Sequence, residues 1–199
     1  YFVKTDSAYR EMKAYHKVRI FRKDIQGVCD SLLFSSKDSC LRMYHDPIIW
    51  NEKQQLLGEE INVYMNDSTI DWAHIINQAL TVEQKDSIHY NQISGKEIKA
   101  YFQGGEARKI DVIGNVLVIY YPEEKDSTMI GMNTSETSLL NLHLMNRKME
   151  KMVMSPKSNG TLYPMDQIPV DKMKLPTFVW FDYIRPQNKD DIFNWRGKK

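Results

Sequence analysis

The sequence has no apolar run of the ~18 residues that a membrane-spanning helix needs, so no stretch reads as such a helix. It has no charge imbalance either. With 27 Lys and Arg against 26 Asp and Glu, the net charge is +1, which predicts no bulk attraction to nucleic acid or to an anionic membrane. Catalytic signatures are also missing: no Gly-x-Ser-x-Gly elbow, no phosphate loop and no dinucleotide fingerprint. The five histidines, His16, His45, His74, His89 and His143, show no ligand spacing with one another or with cysteine. No metal or other cofactor is implied. The two cysteines, Cys29 and Cys40, lie too far apart along the hairpin expected between them for a disulfide, and they read as packed thiols. Two thiols do not settle the redox compartment. No signal peptide is recognisable, and an opening at Tyr1-Phe2-Val3 reads as a trimmed or mature fragment.

What the sequence does have is a repeat. Gln55-Leu56-Leu57-Gly58-Glu59-Glu60-Ile61-Asn62-Val63-Tyr64-Met65 returns thirty-seven residues later as Gln92-Ile93-Ser94-Gly95-Lys96-Glu97-Ile98-Lys99-Ala100-Tyr101-Phe102. Looser copies stand at Ile25-Gln26-Gly27 and Met129-Ile130-Gly131. The trailing segment also returns, as Ile70-Asp71-Trp72-Ala73, Ile110-Asp111-Val112-Ile113 and Met149-Glu150-Lys151-Met152. Such a period means stacked units, each too small to bury its own apolar face. Ile61, Val63 and Met65 alternate with Asn62 and Tyr64, and Ile98, Ala100 and Phe102 alternate likewise, which is strand chemistry. The unit is therefore strand, turn, strand, with a glycine where the chain bends. Carboxylates such as Glu59, Glu60, Asp71, Glu97, Asp111 and Glu150 recur with the repeat, which marks structural positions rather than the facing pair of a glycosidase.

In chain order, residues 10–23 predict a long strand, with Met12, Ala14, His16, Val18 and Ile20 on one face and a basic stripe, Lys13, Lys17 and Arg19, on the other. A hairpin follows, turning at Ser36-Lys37-Asp38, and then Pro47-Ile48-Ile49-Trp50 as an edge-type strand, because proline cannot donate to a ladder. The two full repeats turn at Asn66-Asp67-Ser68 and Gln103-Gly104-Gly105-Glu106, and a last hairpin turns about Asn146-Arg147. Asp-Ser recurs before strands at 38–39, 67–68, 86–87 and 126–127. These pairs cap turn backbone, and Asp67-Ser68-Thr69, Asp86-Ser87-Ile88 and Asp126-Ser127-Thr128 also match an O-glycosylation signal of some periplasmic systems. From Ser155 on, Pro156, Pro164, Pro169, Pro176 and Pro186 argue against long regular elements. The run Ile110–Tyr121 is apolar on both faces, so the tail is expected to fold back over it with Phe178, Trp180 and Phe181. Two regions result: a repeat domain, 1–155, and a Pro- and aromatic-rich segment, 156–199, packed on the sheet.

These residues resemble a known family. The units [Leu/Ile]-x-Gly-x-x-Ile-x-[Val/Ala]-x-[Met/Phe], with Gly114-Asn115-Val116-Leu117-Val118 between them, are similar to the OstA-like proteins of organic-solvent tolerance and lipopolysaccharide transport in Gram-negative bacteria. So are Cys29-Asp30-Ser31-Leu32 and Asp46-Pro47-Ile48-Ile49-Trp50. The resemblance covers roughly residues 10–155 and departs from the minimal domain after Ser155. It implies an all-β jellyroll of repeated antiparallel units with an irregular tail, and a non-enzymatic carrier or bridge for lipopolysaccharide. It further implies a periplasmic location, including association with the outer membrane, and partners among other transport proteins or further copies, reached through edge strands. Alternation then nominates Val18, Ile20, Ile61, Val63, Met65, Ile98, Phe102, Val116 and Val118 as the lining of a lipid slot. The rival expectation is a β-repeat scaffold that binds protein partners at its edges and fills the same space with its own side chains.

Overall fold

The computed structural model describes residues 2–4, 9–66, 69–146 and 148–197. Their strands are β1 (Phe2–Lys4), β2 (Arg10–Phe21), β3 (Ile25–Ser35), β4 (Cys40–Tyr44), β5 (Ile48–Asn51), β6 (Gln54–Leu57), β7 (Glu60–Asn66), β8 (Thr69–Gln84), β9 (Tyr90–Gln103), β10 (Glu106–Tyr120), β11 (Gly131–Met145) and β12 (Lys148–Pro164). All pair antiparallel in one sheet, in the order β1-β2-β3-β4-β7-β8-β9-β10-β11-β12. Strands β5 and β6 fill the remaining places: β3 pairs with β5 and then β4 along its length, and β8 pairs with β7 and then β6. Thus β4–β5 and β6–β7 each occupy the room of one broken strand. No helix among the described residues is long and apolar enough to cross a membrane.

The sheet folds over on itself along a line that the backbone marks. Left-handed pairs stand at His16 and Lys17 (φ 62° and 61°), His45 and Asp46 (63° and 54°), Asn77 and Gln78 (54° and 47°), and Gly114 and Asn115 (80° and 49°). Ladder register shifts at the same places, between Tyr15 and Val18, Ile76 and Ala79, and Ile113 and Val116. An inserted residue in the left-handed region bends a strand sharply, so every long strand turns the same corner. Between the bulged strands the chain must pass close, and there it carries glycine. A Cβ on Gly58 would lie 2.6 Å from Ile75 Cγ2, and one on Gly95 2.7 Å from Val112 Cγ1. These two glycines are equivalent, one repeat apart, as the pattern predicted.

The looser copies are not equivalent to them. Gly27 lies within the first part of β3 and Gly131 at the start of β11, whereas those strands shift register near Asp30 and Ser138. The trailing match is likewise out of phase. Ile75, not Trp72, stands where Val112 stands, because each is the neighbour of its repeat's glycine. Gly131 is confined for a different reason, since a Cβ there would lie 2.5 Å from the Tyr163 carbonyl oxygen of the neighbouring strand.

Other expectations change as well. His16 belongs to a bulge and not to the inward face, and its side chain is 82% exposed. Strand β5 is interior to the sheet, flanked by β3 and β6, because Pro47 falls in the break before it and no ladder hydrogen bond is asked of it. Strand β12 runs on through Pro156 to Pro164. The Asp-Ser turns behave as caps where they are described: Asp86 accepts the N–H groups of Ile88 and His89, and Asp126 accepts that of Thr128. Asp67-Ser68 and Arg147 lie outside the described residues.

Beyond β12 the chain proceeds through short 3-10 turns and lies over the outside of one half of the folded sheet. Leu175, Phe178 and Trp180 pack with Leu80, Val82, Ile119 and Tyr121. Phe181 does not join them. It packs with Ile184 on Val28, Ile48 and Trp50, farther along the same face. Arg19, placed by alternation in the basic stripe of the second face, is buried close to Asp191 of this segment (3.7 Å).

Candidate functional site

Folding the sheet brings two apolar faces together. One layer comprises the parts of the strands that include β4 and β7; the other includes β5 and β6. Inward positions of both meet in one cluster, in which Val112, Val116 and Leu140 are wholly buried and Ile61, Ile75 and Ile98 nearly so. The gradient across the sheet matters more than the mean. On central strands the interior is sealed, while Met12, Ala14, Val18 and Ile20 on β2 and Met149, Met152 and Met154 on β12 are only half-buried. Strand β12 has a neighbour on one flank, and β2 has β1 beside it only at Arg10–Met12, so among the described residues the apolar interior thins towards both edges of the sheet.

Seven of the nine nominated residues come together here: Val18, Ile20, Ile61, Val63, Ile98, Val116 and Val118. Met65 and Phe102 are half-buried and fall outside the cluster, beside turns far from the bend. A register shift between Tyr64 and Met65 ends the simple alternation on β7. Alternation alone missed Cys29, Leu32, Met43 and the methionines of β12. Cys29 and Leu32 share the inward side although an even spacing would be needed in a straight strand, because β3 turns the corner between them. The methionines had a weak signal, three on one strand, disguised by a shift between His143 and Leu144.

The interior is electrically quiet. Burial pushes the Cys29 thiol up to about 12, with Asp30 adding to the effect, so it stays protonated and behaves as a small apolar group. Burial raises Cys40 as well, and both thiols are free. Titratable partners lie elsewhere. His74 Nε2 is 2.9 Å from Glu97 Oε2, Lys109 Nζ is 2.8 Å from Asp111 Oδ2, and Glu59 is held by Asn77 (3.0 Å) and Gln78 (2.7 Å). Two shallow hollows, about 440 and 350 Å³, lie along the bend, lined by groups such as Asp46, Glu59 and Asn77 in one and Asn115, Glu136 and Lys157 in the other. Among the described residues no group of three or more His, Cys, Asp or Glu is placed to hold a metal ion.

On the outer face of the first layer, aromatic rings stand in a pile. Tyr64 and Trp72 are parallel within 1° at 4.2 Å, Tyr101 follows Trp72 at 6.2 Å, and Lys109 Nζ lies 5.3 Å from the Tyr101 ring. Their faces are taken by one another, which makes the pile a cross-strand support rather than a platform for a ligand.

No family model matches the chain, and no curated protein matches it. Among solved structures the chain is similar to LptH of Pseudomonas aeruginosa, described as the LptA-homologous periplasmic component of the conserved lipopolysaccharide transport device. That match has a TM-score of 0.52 at 14% identity and covers 70% of this chain and 95% of LptH. At this identity the likeness is one of fold: the chain has the folded-over β-jellyroll of LptH. It agrees with the resemblance to OstA-like proteins read from the sequence.

Proposed function

We propose that this chain is a non-enzymatic periplasmic module for lipopolysaccharide transport, which shields acyl chains between the two layers of its folded sheet. The observation that carries this reading is the apolar interior that reaches both edges of the sheet, on a fold shared with a lipopolysaccharide-transport component. The physical need is large. At about 0.8 kcal/mol per methylene, one acyl chain of a dozen carbons costs roughly 10 kcal/mol to expose to water. In this reading the half-buried residues of β2 and β12 are the mouths, and Ile61, Val63, Ile98, Val116 and Val118 are the lining. Met65 and Phe102 stand beyond it, near the turns. The partners are other transport proteins or further copies, met at the edge strands, and the site of action is the periplasm next to the outer membrane.

One observation favours a second reading, the scaffold. The central interior is filled by the chain's own side chains, with Val112, Val116 and Leu140 at 0% exposure. A carrier must part its layers to load, and a scaffold need not. Photo-crosslinkers placed in living cells at the nine positions, with outward Asn62 and Lys99 as controls, separate the two. Lipopolysaccharide adducts at the inward positions and none at the controls are expected. A folded protein with no adducts at any position overturns the carrier reading. The Val63→Glu variant adds a second test, because a desolvated carboxylate opposes an apolar ligand. It blocks loading of a carrier that opens and unfolds a scaffold whose interior stays packed.

A further inference from the structure

The glutamine that opens each full repeat, Gln55 and Gln92, has a use that alternation does not explain, and Gln26 joins it in space. Gln26, Gln55 and Gln92 are almost fully buried, at 3%, 0% and 0% exposure. They stand in one straight cross-strand row, Gln26–Trp50–Gln55–Val82–Gln92–Ile119, with a glutamine on every second strand and an apolar residue between. A buried primary amide is costly unless its donor and acceptor are both used. Both are used, and for Gln55 and Gln92 they meet main chain of the segment after β12, with Trp50 Nε1 also donating to Gln55 Oε1 (3.2 Å) and Gln92 Nε2 also donating to the Tyr90 carbonyl (3.1 Å). Gln92 Nε2 donates to the Met173 carbonyl (2.8 Å), and its Oε1 accepts the Leu175 N–H (2.8 Å). Gln55 Nε2 donates to the Val179 carbonyl (2.9 Å), and its Oε1 accepts the Phe181 N–H (2.7 Å).

The two engagements are the same motif repeated. Each takes a carbonyl and the N–H two residues on, then a turn: Phe178 N–H to Leu175 O (2.9 Å), and Ile184 N–H to Phe181 O (3.0 Å). The period in the segment is six residues, and in the sheet it is two strands, about 10 Å. Six extended residues would cover about 20 Å, so the turn is what matches one period to the other. At Gln26 the match changes: its Oε1 accepts from Arg185 Nε (2.8 Å), and Arg185 also donates to the Glu52 carbonyl (2.8 Å).

We propose that this glutamine row is a polypeptide-binding site in its own right. Its ligand is a chain of six-residue period that offers a carbonyl and, two residues later, an N–H to Gln92 and again to Gln55, and an arginine side chain to Gln26. Residues 165–197 are its exchangeable occupant, held by these contacts and not merely by their covalent link to β12. The proposal goes beyond the transport reading and does not depend on it.

The test keeps the whole chain until it has folded. A protease site is inserted between Pro164 and Met165, the folded protein is cut, and the fragments are passed over a sizing column. The cut segment is expected to remain bound, and a labelled synthetic peptide of residues 165–199 to exchange into its place. A peptide N-methylated at Leu175 and Phe181 loses both amide donors and should compete about ten-fold or more weakly, because the buried Gln92 oxygen goes unpaired and the Gln55 oxygen keeps only the Trp50 indole N–H (3.2 Å). Methylation at exposed Thr177 should leave competition unchanged. Gln92→Leu in the cut protein should weaken retention similarly. The proposal is overturned if the segment leaves a still-folded body at micromolar concentration, or if it stays and never exchanges. It is equally overturned if the body aggregates as the segment leaves, or if the doubly methylated peptide competes like the unmodified one.

Discussion

Gly95 and Val112 meet more closely than any other residue could tolerate: a Cβ on Gly95 would lie 2.7 Å from Val112 Cγ1. Gly95→Ala should therefore cost about 1–3 kcal/mol, the usual range for overpacking. Urea unfolding measures it. Because the clash is with one methyl group, Val112→Ala should absorb part of the cost in the double variant, giving a coupling energy of opposite sign to the single effects. Gly58→Ala should behave alike through Ile75. Additive effects in the Gly95 pair would show that the backbone, and not the contact, sets the requirement.

The segment after β12 divides by burial. Ile184 is 1% exposed and packs with Val28, Ile48 and Trp50, while Val170 is 82% exposed. Ile184→Ala should destabilise by about 2–5 kcal/mol and Val170→Ala by less than about 0.5. Equal midpoints for the two variants in thermal unfolding would mean that the segment contributes nothing to the fold.

Arg19 is a buried cation with poor company. Its side chain is 1% exposed, its three guanidinium nitrogens have no hydrogen-bond partner among the described residues, and the Asp191 carboxylate lies 3.7 Å away. Asp191 itself is shared with Arg196 and with the Gln187 N–H. Asp191→Asn leaves a desolvated charge and should cost about 3 kcal/mol or more, whereas Arg19→Met should be neutral or stabilising. In the double variant most of the Asp191→Asn loss should disappear. A strongly destabilised Arg19→Met would count against this account, and denaturant titration decides it.

Asp86 governs a loop by its charge. The His89 ring at 2.7 Å and the N–H groups of Ile88 and His89 hold its carboxyl down to about 2. A folded-state value below the unfolded one means that the carboxylate favours the folded form. The contribution is complete above about pH 4 and is lost as pH falls towards 2. The difference in melting temperature between the wild type and Asp86→Asn should be steady from pH 7 to about 5 and close below pH 4. A gap that persists at pH 2 would contradict this.

Local sequence was enough for the strands and for the two full repeats. Alternation at Ile61 and Val63, and at Ile98, identified strands and their inward faces, and the thirty-seven-residue recurrence placed Gly58 and Gly95 at equivalent bends. Two copies of one unit meet the same neighbours, so their requirements are the same and their residues agree. The resemblance to OstA-like proteins rested on this recurrence and reached the fold found for LptH.

Tertiary structure decided what depends on where strands turn and on what lies over them. Parity counting fails across a bulge, which is why His16 left the inward face, Cys29 and Leu32 came to share it, and Met65 fell outside. Pro47 read as an edge signal only because the break that hides its missing N–H is invisible in one dimension. Gln55 and Gln92 stood in the motif from the start, but their partners are 124 and 81 residues away in sequence for the carbonyls they hold. A side-chain amide carries no mark of the main chain it will meet. Only the crossing of the segment over the folded sheet, with six residues matched to two strands, gave those glutamines their work.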